Sequence, residues 1–100
     1  MALSERRKGL RGQQEVQRLF QSLGIDLDKL AAQGDRVWHL PNGKTIRLEV
    51  KRRERLELKM WLRQGEEETP ANMVSVVVFR QSGGKWYAAL ALEDLIGLVS

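Results

Sequence analysis

The sequence predicts a mixed α/β domain with elements in the order α-β-β-α-β-β-α, and three observations carry that prediction. Val16, Leu19, Phe20 and Leu23 recur at i, i+3, i+4 and i+7, the stripe of a core-facing helix. Asn42-Gly43 stands between two extended runs, the strongest short-range signal for a hairpin. Residues 73–79, MVSVVVF, are almost continuously apolar and β-branched, as in a strand buried on both faces. Helix, hairpin, helix and further strands imply a sheet packed on helices.

The first helix is expected over residues 4–23, with Ser4 as N-cap and Gly24 in the C′ position that ends it. Gly9 and Gly12 lie inside it and each costs about 1 kcal/mol relative to alanine. They read either as a point of close approach or as a frayed first turn, with the helix starting near Gly12. Residues 25–34 fit a short helical turn or a loop. Arg36–Leu40 and Lys44–Lys51 are the hairpin strands, joined at Pro41-Asn42-Gly43. In the second strand Ile46, Leu48 and Val50 share one face, expected to be core. Thr45, Arg47, Glu49 and Lys51 share the other, expected to be polar. Residues 54–64 return to helical spacing, with Leu58, Trp61 and Leu62 on one side, and Gly65 and the acidic run 66–68 closing the helix. Ser82-Gly83-Gly84 turns the chain into a strand over 85–92, where Trp86, Ala88, Leu90 and Leu92 alternate. Residues 93–99 form a short terminal helix.

One hundred residues leave room for one core, so residues 1–100 are read as a single domain. A chain this small is marginal alone, which makes a dimer a reasonable expectation. The absence of cysteine excludes disulfides, zinc ribbons and thiol nucleophiles. A single histidine, His39, excludes an acid/base histidine pair; it reads as packing or solvent-facing. No apolar run approaches the roughly 18 residues of a membrane span, and the N-terminus has no signal-peptide core, so an intracellular protein is expected. The net charge of +4 suits an anionic partner. Its distribution says more: Arg6, Arg7, Lys8 and Arg11 form one basic cluster, and Lys51, Arg52, Arg53 and Arg55 another.

Glu49-Val50-Lys51 at the end of the hairpin is the chemical feature of interest. Phosphodiester hydrolysis needs an activated water and neutralisation of developing charge, tasks suited to a carboxylate-bound metal with a lysine beside it. Glu and Lys two apart on a strand share a face, so the backbone alone pre-positions the pair. Glu57-Leu58-Lys59 repeats the spacing in a helical stretch, where i and i+2 do not face each other. Asp35 stands just before the first hairpin strand, and the short turn brings it towards the Lys51 end of the second. Alone, Glu49 and Lys51 equally describe an exposed ion pair worth under about 1 kcal/mol. Glu15 equally describes a helix glutamate paired with Arg11 or Arg18. Asp26 and Asp28 read as turn residues, and Trp38, Trp61 and Trp86 as core or interface.

The order of RRKGLRGQQEV, then Gly34-Asp35, then LEVKRR resembles the PD-(D/E)xK nuclease superfamily. Within it, the chain resembles the archaeal-type Holliday junction resolvases, including phage-borne relatives, over essentially its whole length. The proline usual before the aspartate is Gly34 here, and the serine- and glycine-containing segment expected upstream is reduced to AAQG. The resemblance implies a restriction-endonuclease-like mixed central sheet flanked by helices. It implies Glu15, Asp35, Glu49 and Lys51 as catalytic residues, with metal held by Asp35, Glu49 and the Val50 carbonyl. It implies Mg²⁺, replaceable by Mn²⁺, and no small-molecule cofactor. Branched DNA, a four-way junction, would be nicked symmetrically by a homodimer in the cytoplasm of a prokaryotic or phage-infected cell, with no membrane partner. The basic clusters at Arg6, Arg7, Lys8, Arg11 and at Arg52, Arg53, Arg55 would track the DNA backbone. Two alternatives stand beside this: a small nuclease of the same superfamily cutting duplex, flap or mismatched DNA, and a non-catalytic basic DNA-binding or assembly protein.

Overall fold

Among the described residues eight elements follow one another: α1 (Leu3–Ser22), β1 (Asp28–Lys29), β2 (Arg36–His39), β3 (Thr45–Arg52), α2 (Leu58–Glu68), β4 (Val74–Arg80), β5 (Tyr87–Ala89) and α3 (Leu92–Val99). The computed structural model describes residues 3–29 and 36–100; of residues 3–6 and Lys8 it describes the backbone alone. Asp35 and Gly34 therefore lie outside the described residues, as do the side chains of Arg6, Lys8 and the expected cap Ser4. The architecture is a compact α/β domain with a five-stranded mixed sheet and three helices. No helix among the described residues is long and apolar enough to cross a membrane.

The sheet runs β1-β2-β3-β4-β5 in chain order. β1, β2 and β3 form an antiparallel meander, and Arg36 pairs with Leu48 and His39 with Thr45 around the Asn42-Gly43 turn. Gly43 takes the positive φ of 87° that this turn needs. α2 carries the chain across to β4, which pairs with β3 in parallel from Ile46–Val74 to Arg52–Arg80. β5 then closes the far edge, antiparallel to β4.

Strand alternation divides β3 and β4 between two helical layers. Ile46, Leu48, Val76 and Val78 are buried beneath α1 with Val16, and Phe20 meets Trp38 edge-on at a centroid distance of 5.0 Å. Gly12 lets α1 sit close: a Cβ there would lie 3.1 Å from Arg52 Cβ and 3.4 Å from Trp86. Close approach is thus the role of Gly12, whereas Gly9 faces open space. On the opposite face α2 covers Ser75 and Val77 with Trp61, and both Val77 and Trp61 are buried.

Several boundaries differ from the expectation. Gly65 and the acidic run, read as closing α2, are part of it as far as Glu68; Gly65 is its contact point with β4, where a Cβ would stand 2.7 Å from Ser75 Oγ. The helix starts at Leu58, because Glu54 is occupied elsewhere. Its carboxylate accepts from the Ser82 amide at 3.2 Å and from the Ser82 hydroxyl, and its carbonyl accepts from Gln81 Nε2 at 2.6 Å. Residues 28–29 add a short strand in a stretch read as turn or loop, and β5 spans only Tyr87–Ala89. The expected alternation through Leu92 fails because Leu92 opens α3.

Trp61 fills the α2–β4 interface, so Trp61→Ala should destabilise the fold by about 3–5 kcal/mol. That is a large part of a small domain's total of about 5–15 kcal/mol. Urea unfolding followed by circular dichroism should show a lower midpoint at an unchanged slope.

Candidate active site

The polar face of β3 is partly shielded: Arg47 is buried, whereas Thr45, Glu49 and Lys51 are half-buried. α2 packs on the neighbouring β4, and the alternation that puts Ile46, Leu48 and Val50 under α1 turns Arg47, Glu49 and Lys51 to the face of the sheet that carries α2. Three charges in the middle of a sheet must then satisfy one another. Arg47, with its side chain 3% exposed, reaches Glu49 Oε2 at 2.9 Å and Glu68 Oε2 at 3.1 Å, and donates to Thr69 Oγ1 at 3.4 Å. It occupies the carboxyl end of α2, where the helix dipole favours a cation. Thr69 caps that end through its own amide and hydroxyl, both donated to the Gly65 carbonyl.

Lys51 Nζ approaches the other oxygen of Glu49, Oε1, at 3.4 Å. The carboxylate is therefore neutralised from both sides, in a site where its side chain is 15% exposed. Charge balance is not the same as hydrogen bonding. Glu49 Oε2 is buried, and its contact with Arg47 is close but misaligned, so the oxygen accepts no hydrogen bond. It is an acceptor with lone pairs to spare in a dry site, a donor that suits a hard cation.

Glu15 lies elsewhere. Three residues on from Gly12, it faces the α1 side of the sheet, where Arg80 Nη1 donates to Oε2 at 2.7 Å and Arg52 Nε lies 3.5 Å from Oε1. Arg52 and Arg80 are register partners at the carboxyl ends of β3 and β4, and Glu15 holds the two like charges together. Both Nε atoms remain buried without a hydrogen bond. The structure thus joins Glu49 to Lys51 and separates both from Glu15 by the thickness of the sheet.

Arg52, expected to track DNA with its neighbours, is turned inward to Glu15 because it is the next residue after Lys51 on a strand. Arg53 stays partly exposed beside it, donating its amide to the Arg80 carbonyl and Nη1 to the Arg52 carbonyl. Arg55, Arg7 and Arg11 are exposed. Asp35 is outside the described residues, but its covalent neighbour Arg36 pairs with Leu48, itself the neighbour of Glu49. Arg36 Nε donates to Gln17 Oε1 at 2.7 Å, which fixes the end of β2 to α1. Glu57 stands at the N-cap of α2 with non-helical φ −127° and ψ 51°, and Lys59 lies in the first turn, so this second E-x-K straddles the helix start and does not lie within a helix as expected. His39 is exposed, 2.8 Å from Asp28.

Arg47, Glu68 and Arg80 are the residues that sequence reasoning passed over. Arg80 had a signal, an arginine ending an apolar strand in register with Arg52. Arg47 had one too, since it shares the face of Glu49. Among the described residues, no three acidic, histidine or cysteine side chains converge on a point that could hold a metal by themselves. The chain matches no protein-family model and no curated protein.

Two substitutions on this face should differ sharply. Arg47→Met leaves Glu49 buried with a single, distant partner and should cost about 3 kcal/mol. Lys51→Met removes a longer, partly solvated contact and should cost about 1 kcal/mol or less. Chemical denaturation of the two variants beside the wild type measures the contrast.

Proposed function

We propose that the chain is a metal-dependent endodeoxyribonuclease of the PD-(D/E)xK type that cuts branched DNA, with the four-way junction as substrate. The observation that carries this reading is the Glu49–Lys51 pair, held on one strand face beside a buried carboxylate oxygen that accepts no hydrogen bond. The element order supports it: a helix, an antiparallel meander, a second helix and a parallel strand accord with a restriction-endonuclease-like sheet. The tether of Asp35 to Arg36 supports it further, because Arg36 pairs one residue from Glu49.

The donor set fits Mg²⁺, which needs only one or two carboxylates and takes its remaining ligands from water and substrate oxygens. Glu49, Asp35 and the Val50 carbonyl would hold it, and Mn²⁺ would substitute. When bound, the metal supplies a Lewis acid and an activated water. Lys51 places a positive charge 3.4 Å from Glu49, where negative charge builds on the phosphate oxygens. Arg47 neutralises Glu49 and is itself held by Glu68 and Thr69. Glu15 sets Arg52 and Arg80 at the strand ends, and Arg7, Arg11, Arg53 and Arg55 meet the DNA backbone. Two copies acting about a two-fold axis would nick opposing strands.

The test is cleavage of labelled four-way junction, linear duplex and flap DNA with Mg²⁺. The expected result is paired symmetric nicks at the junction, lost in both Asp35→Asn and Glu49→Gln. Equal cutting of linear duplex would replace the junction with a broader substrate class. The neutralised state of Glu49 favours one second reading, a DNA-binding protein without catalysis. Binding without cutting, unchanged by either substitution, would establish that reading instead.

Backbone contact also has its own readout. Arg11→Ala should weaken junction binding and lower the slope of log affinity against log salt by about one charge, measured by fluorescence anisotropy. An unchanged slope would remove α1 from the DNA path.

A further inference from the structure

The burial of α3 does not match its composition. Leu92, Leu95, Ile96 and Val99 fall at i, i+3, i+4 and i+7, the spacing of a core stripe, yet they are 70%, 43%, 56% and 77% exposed. No residue of this helix is buried. Its inward side carries only Asp94 and Leu98 in partial burial, with Leu98 against the main core. Together the four outward side chains expose roughly 400 Å² of contiguous apolar surface, the size of a functional patch on a small protein.

The charges around the stripe are ordered. Glu93 and Asp94 occupy the first turn of α3. At its other end, Lys44 Nζ donates to the Gly97 carbonyl, placing a cation at the helix C-terminus. The helix is therefore acidic at one end, basic at the other and apolar between.

We propose that α3 packs antiparallel against α3 of a second copy about a two-fold axis. In that arrangement the exposed Glu93 of each protomer faces Lys44 of the other, and the two stripes cover each other. A parallel pairing would set acid against acid and base against base. The two-fold contact is self-complementary and closes at two copies. Roughly 400 Å² per copy is about half of what a standard interface takes from each partner, so the dimer is weak and concentration-dependent. This gives the two-fold nuclease proposed above its interface but rests on α3 alone: a chain that cut no DNA would still pair.

Sedimentation velocity on the full chain over a roughly hundredfold concentration range tests it. The expected mass rises from one chain towards two. Ile96→Asp and Val99→Asp, both at exposed positions, should each weaken association at least tenfold, with dilute-solution melting unchanged. Lys44→Glu should weaken it by setting like charges together, and adding Glu93→Lys should restore it. A wild type that stays a single chain throughout, or one that assembles beyond two, overturns the proposal. So does a dimer that survives Ile96→Asp and Val99→Asp. A charge reversal that fails to restore association overturns the antiparallel arrangement.

Discussion

The placement of the charged residues follows from β3 being central, with α1 on one face and the end of α2 reaching Arg47 on the other. A strand at the edge, or one open on a face, could send its polar residues to water. β3 can do so only in part, because β2 and β4 flank it, α1 covers one face and Arg47 is buried on the other. Its apolar residues therefore anchor one layer, and its charged residues must find partners inside the other. Arg47, Glu49, Lys51 and Glu68 are the solution, an alternating chain of charge that ends at the partly open carboxyl end of α2. A core of apolar residues would be at least as stable. Within the network Glu49 is the residue whose buried oxygen is left without a hydrogen bond.

Much of this was readable in the sequence because it depends on local rules. Period-two alternation placed Glu49 and Lys51 together, and Asn42-Gly43 fixed the hairpin register. The covering of the polar face was not readable. Nothing in residues 44–51 says which helix will lie over them, and that depends on the crossover from β3 through α2 to β4. The misplaced end of α2 has the same cause. Gly65 looks like a helix stop in one dimension, and only the approach of Ser75 in three shows that it is a contact surface.

One part was readable and passed over. Lys51 and Arg52 look like members of a single basic run, but adjacent residues on a strand point to opposite faces. The same alternation that paired Glu49 with Lys51 sends Arg52 through the sheet to Glu15. Charge clusters in sequence should be divided by the period of the element that holds them before being read as one surface. The contact between Glu15 and Arg80 spans 65 residues and needs the packing of α1 to create it.

The division has a mechanistic consequence. Glu49 with Lys51 and Glu15 with Arg52 and Arg80 sit on opposite faces but reach the same end of the parallel β3–β4 pair. One cluster is balanced, Arg47 and Lys51 against Glu49 and Glu68; the other sets two arginines against the single carboxylate of Glu15 and keeps a net positive charge at that end of the sheet. A phosphate backbone passing that end would meet Lys51 from one side and Arg52 and Arg80 from the other. Glu15 limits how far those two arginines can spread. On the nuclease reading proposed above, that fixed spacing would be matched to phosphates of the backbone and not to base edges.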